Sequence, residues 1–221
     1  MIRRLFLFLT ALLYHQFAWA YDWIAALVSA GHWKSWTLSI LPDLKGPHIL
    51  ELGHGPGHLQ SALRQKGIIS IGLDKSLQMS KQAYRRLNGQ CQFVHGDALH
   101  LPFADETFDQ VVATFPTNYI VKEQTLAEVF RVLRPGGGLV VVPGARLSAP
   151  SGVAERFASG IFRLFHLSPD WTELADNWFV VPIEQAGFEV RVERRVIESS
   201  EIFIIHGKKP NGNSNRRFQN S

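Results

Sequence analysis

A glycine-rich stretch constrains the fold of this 221-residue chain more than any other feature. It reads ELGHGPGH over residues 51–58 and continues a short apolar run that starts at residue 48. Apolar residues then recur with helical spacing at 59–66, so the stretch is predicted to join a strand to a helix. Glycines permit a sharp turn and a close approach to a ligand, and a helix N-terminus offers free N–H groups. The pattern therefore indicates a ligand-binding loop.

The rest of the chain continues this alternation of strands and helices. Strands are predicted at 48–52, 68–73, 92–95, 108–114 and 139–142, and helices at 59–66, 76–87 and 122–133. Such alternation predicts an α/β fold, with a parallel sheet covered by helices on both faces. The run RPGGG at 134–138 is predicted to be a sharp turn, and strands at 188–194 and 202–206 an antiparallel hairpin.

Polar residues follow several of these strands where each strand ends. They are found at 51–57, at Asp74, at Asp97 and at 114–119. In open α/β sheets the ligands bind at the carboxyl ends of the strands. We therefore expect these residues to form one binding site.

The spacing of the glycines bears on the type of cofactor. A dinucleotide-binding loop has the pattern G-x-G-x-x-G, whereas here the third glycine comes one residue early and His58 takes its place. The carboxylate of Glu51 would repel a pyrophosphate but suits the ammonium group of an amino-acid-like cofactor. A nicotinamide-dependent oxidoreductase is therefore only an alternative interpretation.

Several motifs in order resemble class I S-adenosylmethionine-dependent methyltransferases. These are ELGHGPG at 51–57, Asp74, GDA at 96–98 with LPF at 101–103, and LRPGG at 133–137. The resemblance covers about residues 47–143 and is greatest to the small-molecule group of ubiquinone and menaquinone biosynthesis. It implies a Rossmann-like fold with a mostly parallel seven-stranded sheet, N-terminal helices and a helical cap insertion.

The resemblance also implies how the cofactor is held. Glu51 would hold the amino group, Asp74 both ribose hydroxyls, and Asp97 the adenine amino group, while Thr114 and Phe115 would offer a backbone carbonyl. The full set of implied S-adenosylmethionine-binding residues is Glu51, Gly53, His54, Gly55, Gly57, Asp74, Lys75, Met79, Gly96, Asp97, Ala98, Thr114 and Phe115.

Three side chains are candidates for acid–base catalysis. Tyr119, His54 and His166 either follow predicted strand ends or lie in the aromatic-rich insertion. A general base is needed only if the proton of the acceptor is hard to remove. No cluster of carboxylates indicates a magnesium site, so no metal is expected.

The chain is divided into three parts by composition. Residues 1–45 are an apolar helical region, 46–206 the methyltransferase domain with a cap insertion at 146–180, and 207–221 a disordered basic tail. Residues 1–20 resemble a secretory signal in layout, but a second apolar stretch at 21–30 favours a segment that lies in the membrane interface, with Trp33 and Trp36 near the boundary. The alternatives are that the segment spans the membrane, covers the pocket, or packs on the domain or on a dimer mate.

The rich supply of Phe and Trp in the N-terminal region and the cap favours a hydrophobic small-molecule acceptor, phenol-, quinol- or lipid-like, methylated at oxygen or carbon. The single cysteine, Cys91, fits a reducing compartment, and the expected location is the cytoplasmic face of a membrane. The four basic residues after Gly207 account for the whole net charge of +4, so the rest of the chain is neutral overall. Nucleic acid is therefore not an expected partner. A homodimer and a non-catalytic membrane adaptor stay open as alternatives.

Overall fold

The computed structural model describes residues 29–148 and 176–211, with side chains from 178 in the second range. Seven strands form one sheet in these residues. They are β1 (His48–Leu52), β2 (Ile69–Asp74), β3 (Gln92–His95), β4 (Phe108–Thr114), β5 (Leu133–Leu147), β6 (Glu189–Ile197) and β7 (Ser200–Lys208).

The sheet has the order β3-β2-β1-β4-β5-β7-β6. The first five strands pair in parallel, and β7 is antiparallel to both β5 and β6. The strand order reverses between β1 and β4, which is where a ligand crevice opens in such sheets. The predicted Rossmann-like, mostly parallel seven-stranded sheet is confirmed.

Five α-helices are described. They are α1 (Trp33–Leu38), α2 (His58–Gln65), α3 (Leu77–Arg86), α4 (Glu123–Val132) and α5 (Val181–Gln185). Short 3-10 turns cover Leu41–Asp43 and Asn118–Val121, and a π-helical turn covers Asp176–Val180. Within the described ranges no helix combines the length and apolar character needed to cross a bilayer.

Alternate residues along the strands face two separate cores. On one side α1 and α2 pack on the sheet through Trp36, Leu59 and Leu63. On the other side α4 packs through Leu126 and Val129. Because side chains alternate along a strand, Leu50 and Leu52 join the α4 core, while Glu51 between them faces α1 and α2. The alternation thus places a carboxylate beneath the helices of the first side.

The glycine run after α4 differs from its prediction. Residues 134–138 are part of β5, which begins at Leu133 directly after the helix. Between the pairs Phe108↔Leu133 and Gln110↔Gly138, the chain advances by five residues in β5 but by only two in β4. The extra residues of β5 therefore bulge from the sheet. Gly136 has a φ of 75°, which a residue with a side chain rarely adopts. The run is therefore an irregularity within a strand.

Two predicted segment boundaries and the predicted position of one residue also need correction. The tail predicted from residue 207 begins too early, because β7 continues to Lys208 and the Lys209 ammonium donates to the carbonyls of Phe130 and Leu133. The cap predicted from residue 146 begins too early as well, because β5 continues to Leu147. Trp36 is buried in the sheet core instead of lying at a membrane boundary. Most of the cap, residues 1–28 and 212–221 lie outside the described residues.

Candidate functional site

The glycine-rich loop leaves β1 and crosses the end of β2. The Gly53 N–H donates to the Leu73 carbonyl over 2.7 Å, and Gly57 becomes the residue that precedes α2. Gly53, Gly55 and Gly57 all have left-handed backbone, with φ values of 70°, 51° and 82°. This conformation explains why the loop needs glycine at alternate positions, since residues with a Cβ rarely adopt it.

The surroundings of the three glycines predict unequal costs of substitution. A Cβ at Gly57 would lie 2.8 Å from the Ala83 Cβ, whereas a Cβ at Gly55 meets nothing within 4 Å. We expect Gly57→Ala to reduce the free energy of unfolding by about 3 kcal/mol, from left-handed strain plus overpacking, and Gly55→Ala by only about 1 kcal/mol. Urea unfolding of both variants checks this, and equal losses would contradict the packing described.

Asp74, at the end of β2, fastens the loop to the sheet. Its carboxylate accepts the Gly55 N–H over 2.9 Å and the Ser76 N–H over 2.8 Å, and the residue is 2% exposed. The Ser76 hydroxyl in turn accepts the Met79 N–H and caps α3. A carboxylate has about four acceptor positions, so it can accept hydrogen bonds from several groups at once.

Glu51 is a buried carboxylate beside the loop. It is 1% exposed, and no Lys or Arg forms a salt bridge with it in the described part of the chain. The Gln60 amide donates to it over 2.8 Å, and the Ser70 hydroxyl donates to the Gln60 carbonyl oxygen over 3.0 Å. Burial, and to a lesser degree the nearby Asp74 carboxylate, raises the pKa of Glu51 to about 8, although the Gln60 bond opposes the shift. A cation placed against Glu51 would reverse this effect.

A small cavity that opens to solvent adjoins this carboxylate. It is lined by Trp33 and Thr37 of α1 together with the strand-end and loop residues Glu51, Gly53, His54, Pro56, His58, Leu59 and Thr114. The cavity therefore combines one acidic group, a glycine backbone and an aromatic wall. This combination suits a ligand with a cationic end and an apolar neighbour.

Phe115 packs on Trp33, which lines the cavity. Its ring lies 4.4 Å from the Trp33 ring and 6.3 Å from the Trp36 ring, measured between centroids. Its φ is 50°, and its N–H donates to the Val142 carbonyl. A bulky residue in left-handed backbone is uncommon and is found most often at functional sites. The end of β4 therefore holds strained backbone beside the cavity.

Asp97 follows β3 and forms an ion pair with Lys75. The Lys75 ammonium lies 2.7 Å from its carboxylate, and the Leu99 N–H also donates to it. The hydrogen bond from Lys75 keeps the pKa of Asp97 below its usual value. The neighbouring Gly96 N–H donates to the Asp74 carbonyl, and Ala98 is buried in the α4 core. The strand-end acids Asp74 and Asp97 are thus tied together through the backbone.

His54 is buried by contacts of its own. Its ring stacks on Phe93 at 4.2 Å, Nδ1 lies 2.8 Å from the Gly55 carbonyl, and Nε2 lies 3.4 Å from the Ser80 hydroxyl. Burial lowers the pKa of His54, against the opposing effect of Asp74. Nδ1 donates to this carbonyl and Nε2 faces the Ser80 hydroxyl, so both nitrogens are engaged within the protein. The geometry favours packing over acid–base catalysis.

Tyr119 holds the end of β1. Its hydroxyl donates to the Leu52 carbonyl over 3.0 Å, and a Cβ on Gly53 would lie 2.7 Å from the hydroxyl oxygen. Burial raises the pKa of Tyr119 far above its ordinary value, and Asp74 and Glu51 add to the rise. The phenol keeps its proton at neutral pH, so this geometry gives no support to a general-base role.

The remaining predicted site residues are placed as follows. Thr114 lines the cavity, while Met79 is fully buried within α3 and lies outside the set that lines it. His166 lies outside the described residues. Among the described residues, the carboxylates of Asp43 and Glu193 and the His206 imidazole could hold a metal ion, but the Arg195 guanidinium already bonds both carboxylates. Glu193 and His206 lie on β6 and β7, which β4 and β5 separate from β1 in the sheet.

Sequence reasoning missed several residues of the site. Gln60 and Ser70 support Glu51, and Trp33 and Thr37 form the wall of the cavity. A polar residue between Leu59 and Leu63 on the buried side of α2 was a signal for Gln60. Trp33 gave no such signal, because its partner Phe115 is distant in the sequence.

These features fit S-adenosylmethionine. The molecule carries an ammonium group, a ribose and an adenine. The site offers a buried carboxylate without a cationic partner in the described residues, a second carboxylate at the end of the next strand, and a glycine backbone that a side chain would obstruct. Glu51, Asp74 and Asp97 are the residues that would hold these three groups in that order.

Comparisons with known proteins also indicate a methyltransferase. A family model described as a methyltransferase domain matches residues 50–141. The chain is 35% identical over 218 residues to a demethylmenaquinone methyltransferase of Clavibacter sepedonicus, covering 87% of each chain. It is 33% identical to a ubiquinone/menaquinone biosynthesis C-methyltransferase of Haemophilus ducreyi over 61% of this chain and 56% of that protein.

Solved structures share the fold. An S-adenosylmethionine-dependent methyltransferase of Thermotoga maritima is 22% identical, covers 83% of this chain and 92% of its own, and has a TM-score of 0.55. Phosphoethanolamine N-methyltransferase 2 of Haemonchus contortus, solved with S-adenosyl-L-methionine, is 17% identical with a TM-score of 0.59, and the match covers 88% of this chain and 57% of that one.

Proposed function

Since the chain belongs to the demethylmenaquinone and ubiquinone/menaquinone group of class I S-adenosylmethionine-dependent methyltransferases, we propose that it methylates a ring carbon of a hydrophobic quinol. The activity and the cofactor follow from the family. The acceptor and the carbon selectivity are the proposed part. The names of the relatives in Clavibacter sepedonicus and Haemophilus ducreyi, which specify demethylmenaquinone and C-methylation, support this choice.

The single observation that carries the proposal is the composition of the cavity. Its acidic end, at Glu51, suits the cofactor ammonium, while Trp33 and Thr114 lie along the same cavity and Phe115 packs on Trp33. Aromatic rings pack well against other flat rings at centroid distances of 4.5–7 Å. An acceptor with an aromatic ring would therefore be held beside the reactive end of the cofactor.

Holding the reactants in line is the main task of the site. When bound, S-adenosylmethionine supplies an activated methyl group that leaves the sulfonium as an electron-rich ring carbon bonds to it, after which that carbon releases its proton. In the proposal, Glu51, Asp74 and Asp97 hold the cofactor, with Gly53, Gly55 and Gly57 as the backbone beneath it. Trp33 and Phe115 orient the ring of the acceptor.

Proton transfer has no obvious agent among the described candidates. The Tyr119 hydroxyl and the His54 nitrogens already bond within the protein. A quinol ring is activated by its own hydroxyl groups, and the proton can pass to water as the ring regains aromaticity. We therefore assign Tyr119 and His54 to holding the loop, and His166 stays a candidate base by sequence alone.

The acceptor chemistry also suggests a location. A quinol with a long apolar chain resides in a bilayer, so the enzyme has to approach a membrane surface. The apolar residues 1–20 and the aromatic-rich stretch 146–180 are proposed to serve this approach on the cytoplasmic face. The described end of the N-terminal region lies beside the cavity, because α1 contributes Trp33 and Thr37 to its lining.

A comparison of acceptors tests the function. Purified protein is incubated with methyl-labelled S-adenosylmethionine and a prenylated naphthoquinol, or with the same compound oxidised to the quinone. We expect a ring-methylated product from the quinol and at least a hundredfold less from the quinone, because the oxidised ring is electron-poor. Label found only in protein, RNA or an O-methyl ether would contradict the proposal, and binding without turnover would favour a non-catalytic adaptor.

A further inference from the structure

Charge is distributed unevenly over the molecule. Residues 53–96 contain six Lys or Arg and one acidic residue, Asp74, which is buried, whereas the rest of the chain has seventeen basic and eighteen acidic residues. All six basic residues, Arg64, Lys66, Lys75, Lys81, Arg85 and Arg86, are exposed. The net charge of this segment is therefore concentrated on the solvent side of α2 and α3, which both pack on β2.

Helix α3 adds apolar side chains to this basic surface. Leu77 is 55% and Tyr84 57% exposed, and they are seven residues apart, so they share one side of the helix. Lys81 lies between them and Arg85 follows. The opposite side of α3 is buried through Met79 and Ala83. The outer side of the helix thus presents two exposed apolar groups together with two cationic groups.

This surface lies next to the cavity. The Arg86 guanidinium lies 3.0 Å from His58 Nδ1, and His58 lines the cavity. Ala83 and Leu87 also pack against Gly57 of the loop. A bilayer in contact with α3 would consequently be close to the opening through which a lipid-like acceptor enters.

We propose that the outer face of α3, defined by Leu77, Lys81, Tyr84 and Arg85, is a docking surface for an anionic membrane leaflet. The inference rests on the proposed quinol acceptor, because that acceptor requires contact with a bilayer. Lys81 and Arg85 bind lipid phosphates and Tyr84 enters the headgroup region. Anionic lipid is attracted by each basic residue near the surface, and the effect is weakened by salt.

The test compares two double variants of the full chain that remove the same charge. Lys81→Gln with Arg85→Gln alters the α3 face, while Arg191→Gln with Arg194→Gln removes two exposed basic residues from β6, at the opposite edge of the sheet. Sedimentation is measured with vesicles of phosphatidylcholine containing 30% phosphatidylglycerol. We expect the α3 pair to weaken binding about tenfold or more and the β6 pair to weaken it less than twofold.

Two further measurements separate this inference from the proposed function. Transfer to a short-chain, water-soluble naphthoquinol should be unchanged in the α3 pair, whereas transfer to a long-chain quinol in anionic vesicles should fall. Equal losses in both pairs, unchanged vesicle binding, or binding to duplex DNA in preference to vesicles would overturn the docking surface. Failure of the wild type to methylate the soluble quinol would instead count against the function, with vesicle binding still interpretable.

Discussion

Replacement of Asp74 by Asn is expected to weaken S-adenosylmethionine binding by about a hundredfold or more. A hydrogen bond to a charged group contributes about 1.5–3 kcal/mol, and the proposed role of Asp74 involves two ribose hydroxyls. The asparagine side chain keeps the shape but loses the charge, and its amide N–H₂ would face either the Gly55 or the Ser76 N–H. Calorimetric titration of both proteins gives the ratio of dissociation constants.

The control for this variant is the same substitution at Asp105. That carboxylate is 74% exposed and bonds Arg131, away from the cavity, so Asp105→Asn should bind the cofactor as the wild type does. Thermal unfolding of each variant shows whether the fold is retained, since Asp74 also fastens the loop. A folded Asp74→Asn protein with wild-type affinity would remove Asp74 from the cofactor site.

Cofactor binding is expected to release close to one proton at pH 7. With a pKa of about 8 Glu51 is mostly protonated in the free protein, and an adjacent ammonium favours the carboxylate. Calorimetry in buffers of different ionisation enthalpy counts the released protons. The Glu51→Gln variant should release none and should bind about a hundredfold more weakly, because it loses a buried charge pair. Equal proton release in the wild type and the variant would show that another group titrates.

The same carboxyl group gives the stability of the free protein a defined pH dependence. Its pKa is raised on folding from 4.5 to about 8, so between these values the folded state binds more protons than the unfolded state. The contribution of Glu51 to the free energy of unfolding is therefore greatest below about pH 4.5 and falls as the pH rises toward 8. Urea unfolding should show this decline in the wild type and a smaller one in Glu51→Gln. Gln60→Leu should extend the decline to higher pH, because the Gln60 bond opposes the rise in pKa.

Much of the fold was predictable because local signals and topology agree. The alternation of apolar runs with helical spacing gave the order of the elements, and the strand-end position of Asp74 and Asp97 gave the edge of the sheet at which they meet. The bulge at Gly136 was not predictable, because a Pro-Gly-Gly run also suits a turn. Only its pairing with β4 decides between the two.

The site was predictable in its acidic and glycine residues and less so in its surroundings. Glu51 stands out in sequence because it interrupts an apolar strand, but its support by Gln60 and Ser70 depends on how α2 packs on β2. The roles of His54 and Tyr119 depend on partners far along the chain, Phe93 and Leu52. A residue type shows what chemistry is available, whereas burial and bonding decide whether that chemistry is used.

A single-turnover experiment shows whether this protein transfers the methyl group of S-adenosylmethionine to a ring carbon of a quinol. Protein saturated with methyl-labelled S-adenosylmethionine is mixed with an excess of prenylated naphthoquinol, and the reaction is stopped at intervals. We expect one equivalent of label per protein to pass to a ring carbon of the quinol, as shown by mass spectrometry of the extracted product. Label that stays on the cofactor in folded, cofactor-bound protein, or that is transferred to another class of acceptor, would contradict it.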